Sequence, residues 1–142
     1  MNIDSIQNGI VLDHITAGKA LQLYADLELN KLDCSVAIIQ NVKSNKMGRK
    51  DILKIDQNIA VNLDVIGYID PDTTVSIIKD GVTIEKKKVA PPIRLINVVK
   101  CKNPRCITTT EQGIDQIFKL TDVANRTYRC IYCEDELKQT NL

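Results

Sequence analysis

Two close pairs of cysteines near the end of the chain constrain its fold more than any other feature. Cys101 and Cys106 are spaced as Cys-x4-Cys, Cys130 and Cys133 as Cys-x2-Cys, and residues 107–129 separate the two pairs. Each pair can hold two thiolates on one side of a tight loop, and two facing loops create the tetrahedral all-sulfur site that Zn²⁺ prefers. Four thiolates leave no open coordination position, so the spacing predicts one structural zinc ion per chain rather than a catalytic metal.

Two other uses of the cysteines remain open at this point. A disulfide framework would need an oxidising compartment, whereas residues 1–10 lack the apolar core of a signal peptide, so a reducing cytoplasm is expected. A redox role for Cys130-x2-Cys133 alone needs the setting of a thioredoxin-type motif, which the surrounding sequence does not show. Cys34, the fifth cysteine, has apolar neighbours on a predicted strand and is expected to be an inert core thiol.

The composition restricts the classes of partner. The 142 residues are 44% hydrophobic and 26% charged, with a formal net charge of +1. A charge so close to zero gives no general attraction to nucleic acid or to an anionic membrane, and no apolar run approaches the roughly 18 residues of a membrane span. We therefore expect neither nucleic acid nor a membrane as a partner. The single histidine, His14, leaves no choice of Cys–His or Ser–His pairs, so an enzyme in its own right is the least favoured class.

The first part of the chain alternates strand and helix patterns. Predicted strands cover Gly9–Ile15, Cys34–Val42, Asp51–Ile55, Thr74–Ile78 and Val82–Lys87, and predicted helices run from an N-cap at Thr16 to about Asn30 and over Val61–Tyr68. Asp80-Gly81 predicts a tight hairpin turn between the last two strands. The order β-α-β-β-α-β, with one added hairpin strand, predicts an α+β fold with a ferredoxin-like sheet.

The segment Ala90-Pro91-Pro92 interrupts these patterns, because two prolines stop both a helix and a strand ladder. We place a domain boundary here, with residues 1–92 in one domain and residues 93–142 in a second. Ile93–Val99 is expected to be a connector, and strands are predicted at Ile107–Thr110, Gln116–Thr121 and Thr127–Ile131, with the cysteine pairs on the loops between them. A body this small does not hold a core unaided, so the second domain is predicted to be an antiparallel, zinc-ribbon-like body folded around its metal.

A few polar side chains on the predicted strands are candidates for ligand recognition. Asp13 and His14 lie at the end of the first strand, and Lys54 and Lys86 lie on strands that could neighbour it. A carboxylate accepts hydrogen bonds from hydroxyl groups, and lysines attract phosphate. Each residue taken alone is nevertheless more often a cap or a solvated surface group. The residues by themselves therefore predict a two-domain protein with a structural zinc, and no more.

Several segments together resemble one known family. They are Gly9–Ala17 (GIVLDHITA), Met47–Ile55 (MGRKDILKI), Arg94–Cys101 (RLINVVKC), Cys101–Cys106 and Cys130–Glu134 (CIYCE). These segments resemble the regulatory chain of aspartate carbamoyltransferase over nearly the whole chain. The resemblance implies a non-catalytic subunit of pyrimidine biosynthesis, whose N-terminal allosteric domain binds CTP and ATP, and UTP in some members. It also implies that the zinc domain holds the catalytic chain, and that regulatory homodimers join two catalytic trimers into a heterododecamer with three regulatory dimers.

The resemblance also implies which residues form the effector site. Asp13 would accept hydrogen bonds from ribose hydroxyls, Lys54 would contact ribose and base, and Lys86 would meet ribose and triphosphate. His14 would lie beside the phosphates. Contacts to the base or phosphates, largely through the backbone, would come from Ile3, Asp4 and Ile6, while Ser76, Ile78 and Thr83 would line the base pocket.

A zinc-ribbon module that binds nucleic acid is the main alternative from another class. The net charge of +1, the scarcity of aromatic side chains for base stacking and the lack of a basic stripe around the predicted zinc body argue against it. Salt-dependent DNA binding by the second domain would favour it.

Overall fold

The chain divides into two compact units, residues 1–90 and residues 91–142. The structure, a computed structural model, describes residues 6–137. Among these described residues, no helix is long and apolar enough to cross a membrane.

The first unit is a five-stranded antiparallel sheet accompanied by two short helices. Its elements are β1 (Gly9–Thr16), α1 (Ala20–Asp26), a 3-10 turn (Leu29–Lys31), β2 (Val36–Ser44), β3 (Gly48–Ile55), α2 (Leu63–Ile69), β4 (Thr74–Lys79) and β5 (Val82–Lys88). The strand order is β2-β3-β1-β4-β5. This arrangement is the β-α-β-β-α-β pattern with a fifth strand added at the β4 edge. The predicted α+β fold class is confirmed.

The core of the first unit lies on one face of this sheet. Leu12 and Leu53 are directly paired, and Leu12 is also paired with Val75 on β4. All three are at most 1% exposed, and Leu23 of α1 and Ile66 of α2 are also fully buried. Because side chains alternate along a strand, the residues between these buried ones lie on the opposite face, which we call the open face. The open face carries most of the predicted effector residues that the structure describes.

The start of α1 differs from the prediction. Thr16 is the last residue of β1, and Lys19 occupies the N-cap position, where its side chain does not cap the helix. The Thr16 amide and hydroxyl instead donate to Asp70, at 2.5 and 3.1 Å. The N-cap predicted at Thr16 is therefore wrong, because a buried carboxylate 54 residues away takes the hydroxyl that a helix start would use. The helix is also shorter than predicted, since Glu28 adopts a left-handed conformation just after it.

A second buried carboxylate, Asp51 on β3, organises the same region. It is 0% exposed. One oxygen accepts hydrogen bonds from the amides of Gly18 and Ala20, at 2.9 and 3.2 Å, and the other accepts from the amide of Asn41, at 2.9 Å. Asp51 thus satisfies an otherwise unpaired amide at the start of α1 and fixes the bulge of β2, where Asn41 has a φ of 62°.

The second unit is a three-stranded antiparallel sheet with one short helix. Its elements are β6 (Arg94–Ile96), α3 (Ile107–Thr110), β7 (Ile117–Asp122) and β8 (Thr127–Cys130), and the strand order is β6-β7-β8. Leu95, Phe118 and Tyr128 are at most 2% exposed and form its apolar core. The Tyr128 hydroxyl donates a hydrogen bond to the carbonyl of Pro92 at 2.7 Å.

Two predictions for the second unit are corrected by the structure. Ile107–Thr110 is a single helical turn rather than a strand, because its amides bond locally: Thr109 and Thr110 donate to the carbonyl of Cys106. The segment Ile93–Val99 is not only a connector, since its residues 94–96 form β6 and pair with β7. The strands predicted at Gln116–Thr121 and Thr127–Ile131 are present with bounds shifted by one residue.

Candidate functional site

The four predicted cysteine ligands meet in the second unit. Their Sγ atoms all lie within 4.8 Å of one another. The Sγ–Sγ distance is 3.6 Å from Cys101 to Cys133 and 3.7 Å from Cys106 to Cys130. A tetrahedron with metal–sulfur bonds of about 2.3 Å has sulfur–sulfur edges of about 3.8 Å, whereas a disulfide has sulfurs about 2.05 Å apart. The donor set therefore fits a tetrahedral metal ion and does not fit disulfides.

Local backbone structure presents each sulfur to the cluster. The amide of Cys101 donates to the side chain of Gln116 at 2.9 Å. The amide of Cys106 donates to the carbonyl of Asn103 at 3.1 Å, which closes the first cysteine loop. Cys130 is the last residue of β8, and its carbonyl accepts from the amide of Glu134 at 2.9 Å, which closes the second.

The cysteine positions depart in part from the prediction that both pairs lie on loops. Cys106 stands at the start of α3 and Cys130 ends a strand, while Cys101 and Cys133 lie outside the helix and strands. Two of the four ligands are therefore anchored on regular structure. Both of these anchored ligands are buried, at 2% and 1% exposure.

The electrostatics of the cluster call for a cation. Burial and hydrogen bonds to Cys133 and Cys106 raise the pKa of Cys101 to about 12, and burial also raises the pKa of Cys130. Burial opposes ionisation of Cys106 too, but its hydrogen bonds to Thr108, Cys130 and Cys133 lower its pKa to about 7. Four thiolates this close repel one another, so a bound dication is what allows all of them to ionise together.

The open face of the first sheet brings together most of the predicted effector residues. Lys54 on β3 pairs with Val11, Val11 pairs with Ser76, and Ser76 pairs with Lys86. Residues paired directly across strands share a face, so these four form one row across the sheet. With strands about 4.8 Å apart, the backbones of Lys54 and Lys86 are separated by about 14 Å.

A bulge in β1 adds two further polar residues to this face. The register between β1 and β3 shifts between Leu12 and Ile15, which are both buried. The two residues between them, Asp13 and His14, therefore both lie away from the core, and His14 has a φ of 56°. The Nδ1 atom of His14 lies 3.3 Å from the hydroxyl of Thr74. The bulge explains how two successive residues of one strand reach the same face.

Asp13 is held by Lys50, a lysine just outside the strand predicted at Asp51–Ile55. The Nζ atom of Lys50 lies 2.9 Å from an Asp13 oxygen that also accepts the His14 amide at 2.6 Å. Partial burial raises the pKa of Asp13, but the hydrogen bonds from Lys50 and the His14 amide and the charge of Lys50 outweigh burial and lower it. Lys50, Ile52 and Lys54 alternate along β3 with buried residues, so this periodicity was the signal that could have identified Lys50.

The remaining predicted residues that the structure describes, Ile6, Ile78 and Thr83, lie at the hairpin end of the open face. Ile78 pairs with both Gly9 and Thr83. Ile6 lies close to Gly9, where an added Cβ would fall 2.8 Å from the Ile6 Cγ2. Ile3 and Asp4 lie outside the described residues.

Comparison with known proteins connects both units to one family. Residues 1–90 match the family described as aspartate carbamoyltransferase regulatory chain, allosteric domain, and residues 93–142 match the metal binding domain of the same regulatory chain. The chain is similar to curated proteins named aspartate carbamoyltransferase regulatory chain, of which three are described. The relative from Clostridium botulinum is 44% identical over 135 residues, covering 95% of this chain and 92% of the relative.

The two further relatives extend this similarity beyond one organism. The protein from Bifidobacterium longum is 40% identical over 138 residues, covering 97% of this chain and 99% of the relative. The protein from Clostridium tetani is 42% identical over 139 residues, covering 97% of this chain and 96% of the relative. A match of both units in the same order, over nearly the full length of each relative, shows that the chain belongs to the family of aspartate carbamoyltransferase regulatory chains.

Proposed function

We propose that this non-catalytic regulatory chain binds a nucleoside triphosphate on the open face of its first unit and couples that binding to catalytic chains held by its second unit. CTP and ATP are the proposed effectors, with UTP as a further candidate. The proposed setting is the cytoplasm, where the cysteines stay reduced.

The open face supplies the chemistry that such a ligand needs. Lys54 and Lys86, at the two ends of one row, offer cations to phosphate or to the base, and Ser76 between them is 8% exposed and offers a hydroxyl. The Asp13 carboxylate accepts hydrogen bonds from ribose hydroxyls, either beside its ion pair with Lys50 or after that ion pair breaks. Ile78 and Thr83 flank the place proposed for the base. The observation that carries this proposal is the register that aligns Lys54, Ser76 and Lys86 on one face.

The second unit is proposed to bind one zinc ion, which holds a docking surface and takes no part in chemistry. The ligands are Cys101, Cys106, Cys130 and Cys133, and their four sulfurs leave no position for substrate or water. When bound, the ion supplies folding free energy to a body too small to be stable by its apolar core alone. The proposed assembly consists of regulatory homodimers and catalytic trimers, in the heterododecamer described for the family.

Calorimetry on the full chain tests the effector site. CTP and ATP should bind the unmodified chain, and Lys54→Ala and Lys86→Ala should each weaken binding at least tenfold, because each removes a cation facing an anionic ligand. Lys46→Ala is the matched control, since Lys46 is exposed on the turn between β2 and β3. Equal affinity in all four proteins would contradict the site. The activity of the complex with catalytic chains, measured with and without CTP, then reports coupling.

A further inference from the structure

The outward face of the second sheet carries a row of three cations. Arg94 on β6 pairs with Lys119 on β7, and Lys119 pairs with Arg129 on β8. All three are exposed, whereas the residues that alternate with them, such as Phe118 and Cys130, are buried on the other face. The row therefore lies opposite the apolar core of this unit. The expectation that the second unit lacks a basic stripe is wrong.

The cations have little compensation within their own unit. Arg129 reaches a carboxylate oxygen of Glu136 at 4.0 Å and the carbonyl of Glu134 at 3.1 Å. Among residues 6–137, no acidic side chain pairs with Arg94 or Lys119. Like charges placed directly opposite each other on neighbouring strands destabilise a sheet. Stability of the free chain therefore does not account for the row.

A row of isoleucines runs beside the cations on the same face. Ile96 pairs with Ile117, two residues along each strand from Arg94 and Lys119. Ile131 follows in register, because its amide donates to the carbonyl of Ile117 at 3.1 Å. Ile96 and Ile131 are 55% and 40% exposed. The face thus combines one charged row with one apolar row, and we call these six residues the cationic face.

We propose that the cationic face is a docking surface for a polypeptide segment that places carboxylates over Arg94, Lys119 and Arg129 and apolar side chains over the isoleucines. The inference rests on the proposed function, in that the segment belongs to the catalytic chain held by the second unit. Carboxylates supply the charge that the row lacks, and burial of the isoleucines supplies apolar contact area. A nucleic acid would satisfy the cations but would leave the isoleucines facing a phosphate backbone, so the observations favour a protein partner.

Substitution of the central cation, Lys119, distinguishes a docking role of the cationic face from a purely structural role. Lys119→Glu places a carboxylate between two arginines, so it should relieve repulsion and raise the melting temperature of the free chain. The same change should weaken binding to the catalytic chain at least tenfold, because it repels the partner's carboxylates. Lys119→Met, which removes the charge and adds none, should weaken binding less and reduce its dependence on salt. A residue that serves only stability would not move the two measurements in opposite directions.

The experiment measures binding of the full, metal-loaded chain to purified catalytic chain by calorimetry at low and high salt. Lys46→Glu, in the first unit, is the matched control for charge reversal, and metal content checks folding of the second unit. If the unmodified chain fails to bind the catalytic chain, the proposed assembly is wrong. If the unmodified chain binds and Lys119→Glu binds equally well, the cationic face is not the docking surface. A third outcome is that the unmodified chain binds a short DNA duplex and Lys119→Glu does not, while both bind the catalytic chain equally well. That outcome would overturn the choice of a protein partner.

Discussion

Replacing Cys106 by serine should unfold the second unit while leaving the first unit folded. Cys106 is 2% exposed and stands at the start of α3, with its sulfur 3.7 Å from that of Cys130 and 3.1 Å from the hydroxyl of Thr108. Serine preserves the shape of the side chain but replaces a soft thiolate with a hydroxyl, which is a poor zinc ligand at neutral pH. The matched control is Cys34→Ser, the same chemical change at the cysteine outside the cluster.

The size of the effect follows from comparing the metal with the core. Structural zinc contributes about 10–16 kcal/mol in zinc-finger peptides, so one ligand of four represents about 2.5–4 kcal/mol if the ligands contribute evenly. A core as small as that of residues 91–142 supplies about 3–5 kcal/mol at most. The loss of one ligand is therefore comparable with the whole stability of this unit, and the remaining three sulfurs, left close together without a cation, repel one another.

Hydrogen exchange with mass spectrometry resolves the two units in one experiment. In Cys106→Ser, amides of β7 and β8 should lose protection while those of β1 and β3 keep theirs, and metal content should fall from one ion per chain towards zero. Cys34→Ser should match the unmodified chain in both respects. If Cys106→Ser retained one metal ion and full protection of β7, the cluster would not be what stabilises the second unit.

Two further predictions concern the first unit. Asp51→Asn should lower the free energy of unfolding of the first unit by about 3 kcal/mol. The amide oxygen of asparagine can accept hydrogen bonds in place of one carboxylate oxygen, but its NH₂ group then faces a buried amide donor. Urea unfolding measures the change, and Asp33→Asn, at an exposed position, is the control. Lys50→Met should lower stability at pH 7 by about 1 kcal/mol. Because Lys50 holds the pKa of Asp13 below its unfolded value, this contribution is present above pH of about 4 and is lost as pH falls through the folded pKa. The difference in stability between the two proteins should therefore shrink as the pH falls below about 4. A difference that stayed as large in acid as at pH 7 would contradict the role of the ion pair.

The parts of the fold that were predictable from the sequence depend on local patterns. Alternation of apolar and polar residues located β3, and Asp80-Gly81 marked a hairpin whose two residues do have positive φ values, 52° and 77°. The spacing of the cysteines was enough to predict a cluster, because it reflects loop geometry within each pair.

The parts that were missed depend on distant partners. Thr16 has the composition of an N-cap, but its hydroxyl is taken by Asp70, which no local pattern reveals. The threonines of residues 107–110 favour a strand, yet within residues 6–137 no strand pairs with them, and the carbonyl of Cys106 accepts the amides of Thr109 and Thr110. The bulge that turns Asp13 and His14 to one face is likewise a property of the pairing between β1 and β3. Local propensity yields in each case to a contact made elsewhere in the fold.

Adjacent residues of β3 connect the open face of the first unit to its core. Lys50 holds Asp13 on the open face, and Asp51, the next residue, holds the start of α1 and the bulge of β2. Asp51 is also paired with Ile15, which closes the bulge that carries Asp13 and His14. A ligand that draws the Asp13 carboxylate away from Lys50 therefore acts on β3, where the neighbouring side chain, Asp51, holds the start of α1. Because coupling requires a ligand to favour one of two arrangements, we expect the rearrangement that follows effector binding to begin at residues 50 and 51 rather than at the ends of the Lys54–Lys86 row.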